Sequence, residues 1–359
     1  MIRHLFILNP EAGIKNPVEE ATKRIKHAFI LNTHREDEKY DIVLTKKRGD
    51  ATEIAKKACL ENPGYTRIYA CGGDGTLHEV ASGIIGEKNV ALCPIPVGSG
   101  NDFVRCFDLP KDRFLDIASL IHHEPKPCDM LKCDDFYALN NISAGLDAIT
   151  GMRQQKVKKL PLVPGEAAYK IALGYSFLSA MKNEISFEID GEPIQIGKGF
   201  VTLAVVGNGR FYGGGFKATP YAEIDDGWMD FVTVPTISRL EFLKYVNIYK
   251  NGTHIEKMPF VHFRKCKKIK MISPEPITLQ ADGEIFVREN PEIEILPSAI
   301  NLIVPKKEEN DSIHCSRNRS LRRLFLHFKL SAEKEKKHYF MQYFFQDFVC
   351  NPVCSPFRA

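Results

Sequence analysis

A glycine-rich turn that carries one carboxylate, Gly72-Gly-Asp-Gly-Thr76, holds the residue types best suited to chemistry in this chain. It follows a short apolar run and precedes a helical pattern. Glycines let backbone N–H groups approach a ligand that a Cβ would hold off, and a helix N-terminus favours phosphate. Asp74 suits such an anion site when a divalent cation lies between its carboxylate and the phosphates. The stretch therefore predicts a nucleotide triphosphate site, with an ordinary strand-to-helix turn as the alternative.

A second glycine loop, Gly98-Ser-Gly-Asn-Asp102, contains a further carboxylate. Its two glycines permit close backbone approach, and Ser99 offers a hydroxyl. We interpret Asp102 as a second carboxylate facing the metal, because Mg²⁺ commonly takes one or two carboxylates together with phosphates and waters. The alternative is that Asn101 and Asp102 cap the following helix.

An alternation of strands and helices positions these loops. Such an order is typical of a parallel sheet with helices on both faces, where ligands bind at the carboxyl ends of the strands. The loop 9–13, Thr45 and both glycine loops fall at those ends, which favours the nucleotide interpretation over an ordinary turn. Apolar patterns predict strands at 5–8, 40–45, 67–70 and 90–95, and helices at 17–31, 50–58 and 76–85.

The second half of the chain has a different pattern. From residue 128 onward, short alternating strands separated by turn residues predict a mainly antiparallel β-sandwich, interrupted by helices at 166–182 and 238–250. The predicted fold class is therefore α/β. Its predicted parts are a doubly wound parallel-sheet domain over 1–130, a β-rich domain over 131–305 and a basic aromatic tail over 306–359.

Charge and composition exclude some classes of protein. Residues 306–359 carry 11 Lys and Arg against 6 Asp and Glu, whereas residues 1–305 carry 38 against 39. This near-neutral body argues against nucleic-acid binding, which needs a basic face. No apolar run reaches the roughly 18 residues of a membrane-spanning helix, and the first nine residues predict a strand rather than a signal peptide. Cysteines inside strand patterns, such as Cys71 and Cys93, predict free thiols in a reducing cytoplasm.

Two segments keep open interpretations. The basic and apolar stretch 156–164 predicts either a contact with an anionic membrane or a solvated loop. In the tail, aromatic residues between 337 and 349 follow a helical spacing. They predict either a membrane-surface helix or a segment that packs on the body or is loosely ordered.

The two glycine loops together resemble the diacylglycerol kinase catalytic family. Gly72-Gly-Asp-Gly-Thr76 alone occurs in several kinase families, including NAD kinases and 6-phosphofructokinase-like folds. Followed by Pro96-Val-Gly-Ser-Gly-Asn-Asp-Phe103, it looks like this family, which includes bacterial diacylglycerol kinases and the sphingosine and ceramide kinases. Asn9-Pro-Glu-Ala-Gly13 and Thr45 fit its other nucleotide contacts, and the resemblance extends over residues 1–305.

The resemblance implies an ATP site and a catalytic Mg²⁺ that Asp74 and Asp102 hold through water. Two positions depart from the family pattern. Ser99 stands where threonine is commoner and keeps the hydroxyl, whereas His78 stands where asparagine is common. The implied ATP contacts are Asn9, Pro10, Glu11, Ala12, Gly13, Thr45, Gly72, Gly73, Asp74, Gly75, Thr76, Leu77, His78 and Ser99.

Two Asp-Gly-Glu triplets, at 190–192 and 282–284, predict hairpin turns between alternating strands. The resemblance separates them, because the family places its catalytic carboxylate in an Asp-Gly-Glu near the end of the β domain. Glu284 is therefore the predicted base, which takes the proton of the acceptor hydroxyl as that hydroxyl attacks the γ-phosphate. Asp282 is predicted to shape the turn or support Glu284, and Glu192 has no predicted catalytic role.

The acidic stretch 221–230 resembles the structural metal loop of the family. The resemblance implies Asp226 as a side-chain ligand, with Glu223 and Trp228 as ligands through their backbone oxygens. The alternative is an acidic turn before a strand at 229–234. Gly213-Gly-Gly215 also matches the family and is predicted to pass near the cleft.

These expectations describe an ATP-dependent lipid kinase that uses ATP and Mg²⁺, with conversion of diacylglycerol to phosphatidate as the preferred reaction. The expected partners are ATP and a membrane lipid. The expected location is the cytoplasm, in peripheral contact with the inner face of the membrane. The sequence leaves open another acceptor, such as a sphingoid base, a different glycerolipid or NAD. It also leaves open a non-catalytic nucleotide- or lipid-binding protein of the same fold. A homodimer is possible in either case.

Overall fold

The computed structural model describes residues 2–13, 17–31, 39–62, 64–157 and 165–307. The described residues up to Lys306 form one compact unit. The predictions for the tail beyond Lys307 and for positions 158–164 of the basic stretch lie outside the described residues.

The described residues form two sheets and a set of helices. The strands are β1 (Ile2–Leu8), β2 (Lys39–Leu44), β3 (Tyr65–Gly72), β4 (Val90–Pro96), β5 (Lys126–Cys133), β6 (Phe136–Ala138), β7 (Asn141–Gly145), β8 (Asn183–Glu184), β9 (Ser186–Ile189), β10 (Glu192–Ile194), β11 (Phe200–Gly207), β12 (Met229–Pro235), β13 (His262–Cys266), β14 (Lys268–Ile272), β15 (Ile277–Ala281), β16 (Glu284–Arg288) and β17 (Glu292–Leu302). The helices are α1 (Pro17–Leu31), α2 (Asp50–Glu61), α3 (Asp74–Gly83), α4 (Ile117–Leu120), α5 (Leu146–Val157), α6 (Gly165–Ser179), α7 (Arg239–Lys250) and α8 (His254–Lys257).

The first sheet confirms the predicted parallel arrangement. β2, β1, β3 and β4 lie side by side in this order and run parallel, with a helix in each connection. The sheet continues beyond the predicted strands, because β17 pairs with β4 and β14 along one edge and with β5 along the other. Strands from the second half of the chain therefore extend the sheet that carries the glycine loops.

The second sheet is antiparallel, in the order β13, β12, β11, β7, β15, β16. The mixed α/β fold class with one parallel and one antiparallel region is thus confirmed. Helix α5, which the sequence patterns did not predict, packs against β15 and β16. The separation at residue 130 into two domains stays a prediction.

The central strand β3, which leads into the first glycine loop, is buried on both faces. Its side chains alternate between two cores, with Ile68 and Ala70 on one face and Tyr69 and Cys71 on the other. All four are at most 2% exposed, as expected for a strand of a sheet covered on both faces. Cys71 and Cys93 are buried free thiols, as predicted.

Among the described helices, none combines the length and the apolar composition needed to pass through a bilayer.

Candidate active site

The carboxyl ends of the parallel strands open into a cavity of about 620 Å³. The turn Asp282-Gly283 faces these loops from the second sheet. The predicted nucleotide and metal residues that line this cavity are Asn9, Glu11, Ala12, Gly13, Gly73, Asp74, Gly75, Thr76, Leu77, His78, Ser99 and Asp102. The sequence therefore identified one wall of a cleft whose opposite wall comes from a distant part of the chain.

The two glycine loops touch so closely that larger residues would not fit. A Cβ on Gly98 would overlap the backbone of Gly73, and a Cβ on Gly100 would lie 2.8 Å from Asp74 Oδ2. The N–H of Gly98 donates to the carbonyl of Gly72 at 3.1 Å and fixes one loop against the other. Glycine is needed here to bring the loops together, in addition to admitting a ligand.

The loop 9–13 is tied to the same turn. Asn9 donates from its backbone N–H to the Cys71 carbonyl at 3.1 Å and from its side chain to Thr76 Oγ1 at 3.2 Å. Beside it lies a second cavity of about 330 Å³, into which a basic segment extends from the end of β2. Its lining is Asn9, Pro10, Glu11, Thr45, Lys46, Lys47, Arg48, Gly75, Thr76 and Glu79. Thr45 and Pro10 thus border a neighbouring cavity, while Gly72 lies behind the loop against Thr76.

Asp74 and Asp102 form the electrostatic centre of the cleft. Burial raises the pKa of Asp74 to about 6, and the nearby charges of Asp102 and Asp282 add to the shift. Burial also raises the pKa of Asp102, although hydrogen bonds from the 213–215 loop and the charge of Arg105 oppose that shift. Two carboxylates held this close resist ionisation together unless a cation joins them. The pair therefore fits a divalent cation that takes its other ligands from phosphates and water.

No group of three or more His, Cys, Asp or Glu side chains in the described residues is arranged to hold a metal by itself. Mg²⁺ in nucleotide sites keeps several waters and phosphate oxygens, so two carboxylates such as Asp74 and Asp102 could supply the protein's share of its ligands.

The 213–215 loop passes the cleft, as predicted. Gly213 and Gly214 line the cavity, and the Gly214 N–H donates to Asp102 Oδ2 at 2.7 Å. Each of the three glycines has a positive φ, which L side chains rarely adopt. The loop thus positions one of the two predicted metal-facing carboxylates.

Asp282 has a clear structural role at the cleft wall. Its carboxylate accepts hydrogen bonds from the N–H groups of Leu139, Asn140 and Asn141 at 2.6 to 3.1 Å. It also contacts His78 Nδ1 at 3.2 Å. The histidine at position 78, where the family commonly has asparagine, thus connects α3 to the Asp-Gly turn through its imidazole.

Both Asp-Gly-Glu triplets form the predicted hairpins, but their glutamates differ. Glu192 pairs with Arg264 at 3.1 Å and its side chain is 70% exposed, whereas the Glu284 side chain is 22% exposed. Gly283 lines the cleft directly before Glu284, and the Glu284 carboxylate is in contact with Arg48. Arg48 belongs to the basic segment after β2. No sequence pattern indicated that this residue would contact Glu284.

The predicted structural metal residues lie apart from the cleft lining. Asp226 Oδ2 lies 2.5 Å from the Lys265 ammonium, and Asp226 Oδ1 accepts the Trp228 N–H at 2.9 Å. Glu223 borders a separate surface cavity of about 480 Å³ with Arg210. Both oxygens of Asp226, the predicted side-chain ligand, are thus engaged by the protein, so this ligand as arranged is not open to a cation.

Comparison with known sequences identifies two family matches. The diacylglycerol kinase catalytic domain matches residues 3–133, and the YegS C-terminal NAD kinase beta sandwich-like domain matches residues 140–304. A diacylglycerol kinase of Staphylococcus saprophyticus is 30% identical over 313 residues, covering 87% of this chain and 98% of that protein. A diacylglycerol kinase of Bacillus subtilis is 28% identical over 315 residues, covering 86% and 98%.

Solved structures show the same fold. A structure described as a diacylglycerol kinase from Bacillus anthracis superposes with a TM-score of 0.64 at 24% identity, covering 84% of this chain and 97% of that one. Another from the same organism gives 0.61 at 22% identity, with 84% and 96% covered. The family matches, together with the relative that is 30% identical over most of both chains, show that the chain belongs to the diacylglycerol kinase family, a family of lipid kinases.

Proposed function

We propose that this chain is an ATP-dependent lipid kinase that transfers the γ-phosphate of ATP to the hydroxyl of diacylglycerol and releases phosphatidate. The observation that carries the proposal is the cleft itself, where two glycine loops with paired carboxylates face the Asp-Gly-Glu turn of the second sheet. Phosphoryl transfer needs mainly positioning and charge stabilisation, which such a cleft supplies.

The nucleotide is proposed to lie along the loops of the parallel sheet. Backbone N–H groups of the 72–76 turn and the N-terminus of α3 face its phosphates, which suits their negative charge. Asp74 and Asp102 are the residues that would hold Mg²⁺, which when bound neutralises the phosphate oxygens. The burial of Asp74 beside the charge of Asp102 supports this assignment, because a cation between two carboxylates relieves their repulsion.

Glu284 is proposed as the base that accepts the proton of the acceptor hydroxyl. Its low exposure and its position next to cleft-lining Gly283 support this role over the exposed Glu192. A base must be free to reach its proton, so the carboxylate has to separate from Arg48 before it acts. Arg48 borders the cavity of Thr45 and Thr76, and nucleotide phosphates there would attract its guanidinium away from Glu284.

The acceptor is proposed to enter from a membrane surface, because its acyl chains remain in the lipid phase. An apolar face of α6 supports such peripheral contact. Its side chains follow a helical spacing and are strongly exposed: Ile171 (51%), Tyr175 (60%) and Leu178 (62%).

The test is transfer of radiolabelled phosphate from ATP to mixed lipid micelles that contain diacylglycerol, monoacylglycerol or sphingosine, with NAD as a soluble acceptor. We expect label in phosphatidate. If label appeared only in another product, the acceptor of that product would replace diacylglycerol in the proposal. If no acceptor were phosphorylated, a non-catalytic binding protein would be favoured.

The matched pair Glu284→Gln and Glu192→Gln tests the base. We expect Glu284→Gln to lower kcat by about 100-fold or more while ATP binding is kept, because a positioned base contributes on that scale. Glu192→Gln should leave kcat unchanged, since an exposed surface ion pair is worth little. Equal losses in both variants, or none in either, would reject Glu284 as the base.

A further inference from the structure

Strand pairing places Lys265 beside the acidic loop 221–230. β13 runs antiparallel to β12, and their register sets Lys265 directly opposite Asp230. The Lys265 ammonium lies 2.5 Å from Asp226 Oδ2 and 3.5 Å from Asp230 Oδ1. One side chain therefore contacts a carboxylate of the loop and a carboxylate of the strand that follows it.

The rest of this loop is held by protein hydrogen bonds. Asp129 in β5 accepts the N–H groups of Gly227 and Ser298, each at 2.7 Å, and donates its own N–H to the Ile224 carbonyl at 2.7 Å. Asp226 Oδ1 is used by the Trp228 N–H. Lys265 therefore pairs with the remaining oxygen of this side chain, Asp226 Oδ2.

Asp230 makes a positive charge at this place necessary. Its side chain is 1% exposed, and neither of its oxygens has a hydrogen-bond partner from another group in the described part of the chain. A buried carboxylate is costly in its ionised form without a nearby cation, and the Lys265 ammonium is a cation that the fold itself supplies.

We propose that the Lys265 ammonium performs the structural role that the family resemblance gives to a metal ion, so that the loop 221–230 of this chain is stable without a bound cation. An ion at Asp226 would have to displace an ammonium that the strand register already holds in place. The tether is covalent and costs no binding entropy, whereas an ion must be recruited from solution.

The loop contains its own spectroscopic probe. Trp228 is the single tryptophan of the chain and donates its backbone N–H to Asp226. A Tb³⁺ ion bound at Asp226 would receive excitation energy from this indole and emit, and Tb³⁺ takes the same oxygen ligands as Mg²⁺ and Ca²⁺. We expect the full-length wild type, titrated with Tb³⁺, to give no saturable emission sensitised by Trp228.

Removing the ammonium should create the ion site. We expect Lys265→Met to gain saturable Tb³⁺ emission that Ca²⁺ competes away, and the double variant Lys265→Met with Asp226→Asn to lose it again. In chelator, Lys265→Met should melt roughly 5 °C below wild type, because a buried carboxylate loses its counter-charge, and Ca²⁺ should recover part of the loss. Lys265→Arg, which keeps the charge, should melt close to wild type.

The wild-type measurement is decisive even if Lys265→Met does not fold. The proposal would be overturned by two results together. Wild type would show saturable Tb³⁺ emission and a rise in Tm on adding Ca²⁺, and both effects would disappear in Asp226→Asn. A Lys265→Met protein with unchanged Tm in chelator would also overturn it.

Discussion

Two acidic clusters of this molecule balance their charge in different ways. In the 221–230 loop, Asp226 and the buried Asp230 both face the ammonium of Lys265. In the cleft, Asp74 faces Asp102 and has no ion-pair partner in the described residues, and burial together with the Asp102 charge raises its pKa to about 6. The first cluster has its counter-charge within the fold. In the second, Arg105 pairs with Asp102 at 3.2 Å, whereas Asp74 gains a counter-charge only when a ligand brings one.

A third carboxylate sharpens the comparison. Asp282 accepts three backbone N–H groups and contacts His78, so hydrogen bonds rather than a cation stabilise it. All three arrangements involve aspartates beside glycines in the sequence. Acidic motifs therefore do not by themselves identify a metal site; the groups that surround each carboxylate do.

The largest difference between the clusters should appear in catalysis. We expect Asp74→Asn to lower kcat by about 1,000-fold, the scale of losing one preorganised electrostatic group at the reacting phosphate. Asp226→Asn should leave kcat near wild type and lower Tm, since Asp226 pairs with Lys265 away from the cleft. Steady-state phosphorylation and thermal melting of the two variants check this. Comparable kcat losses in both would show that the two clusters are not functionally separate.

Local patterns were sufficient to predict the wall of the cleft formed by the parallel sheet. Glycines after a buried strand, followed by a helix, identify a strand-to-helix turn, and strand–helix alternation places all such turns at one edge. Residues 73–76 and 98–100 together with Asp102 were predicted from these patterns, and they line the cavity together. The fold class followed from the same alternation and from the short strands of the second half.

Local sequence patterns could not predict the contacts between distant parts of the chain. His78 meets Asp282 across 204 positions, and Arg48 meets Glu284 across a longer separation. Periodicity predicts which face of a helix or strand is buried, but it does not predict which other element packs against that face. The pairing of β17 with β4 was hidden for a further reason, because the register shift between Leu296 and Ile300 breaks the alternation of the strand.

The Asp282 turn should give the next largest effect. Asp282→Ala removes the acceptor of three N–H groups, and we expect a loss of about 3–4 kcal/mol in stability together with weaker ATP binding. Asp190→Ala is the matched control, because it lies at the same position of an Asp-Gly hairpin with a similar φ, 51° against 48°. Its carboxylate accepts two exposed N–H groups, so we expect about 1 kcal/mol. Equal losses in chemical unfolding would mean that turn conformation, rather than the cleft hydrogen bonds, sets the effect.

The smallest effect concerns the pH dependence of stability without nucleotide. Burial, followed by the Asp102 charge, raises the pKa of Asp74 to about 6 in the folded protein, above the 3.8 of an unperturbed aspartate. The folded state therefore binds this proton more tightly than the unfolded chain, and stability falls as pH rises from about 4 to about 6. After allowing for the partial solvent contact of Asp74, we expect the fall to be about 1–2 kcal/mol.

Asp74→Asn should lack this fall. In chelator, its Tm should match wild type near pH 4 and exceed it by a few degrees at pH 7, because the neutral amide removes the repulsion with Asp102. Asp226→Asn should move Tm in the opposite direction at pH 7, since it removes a partner of Lys265. Thermal melts of the three proteins across this pH range measure both effects. If Asp74→Asn destabilised the free protein as Asp226→Asn does, the cleft carboxylates would already be balanced by the fold, and the contrast between the two clusters would fail.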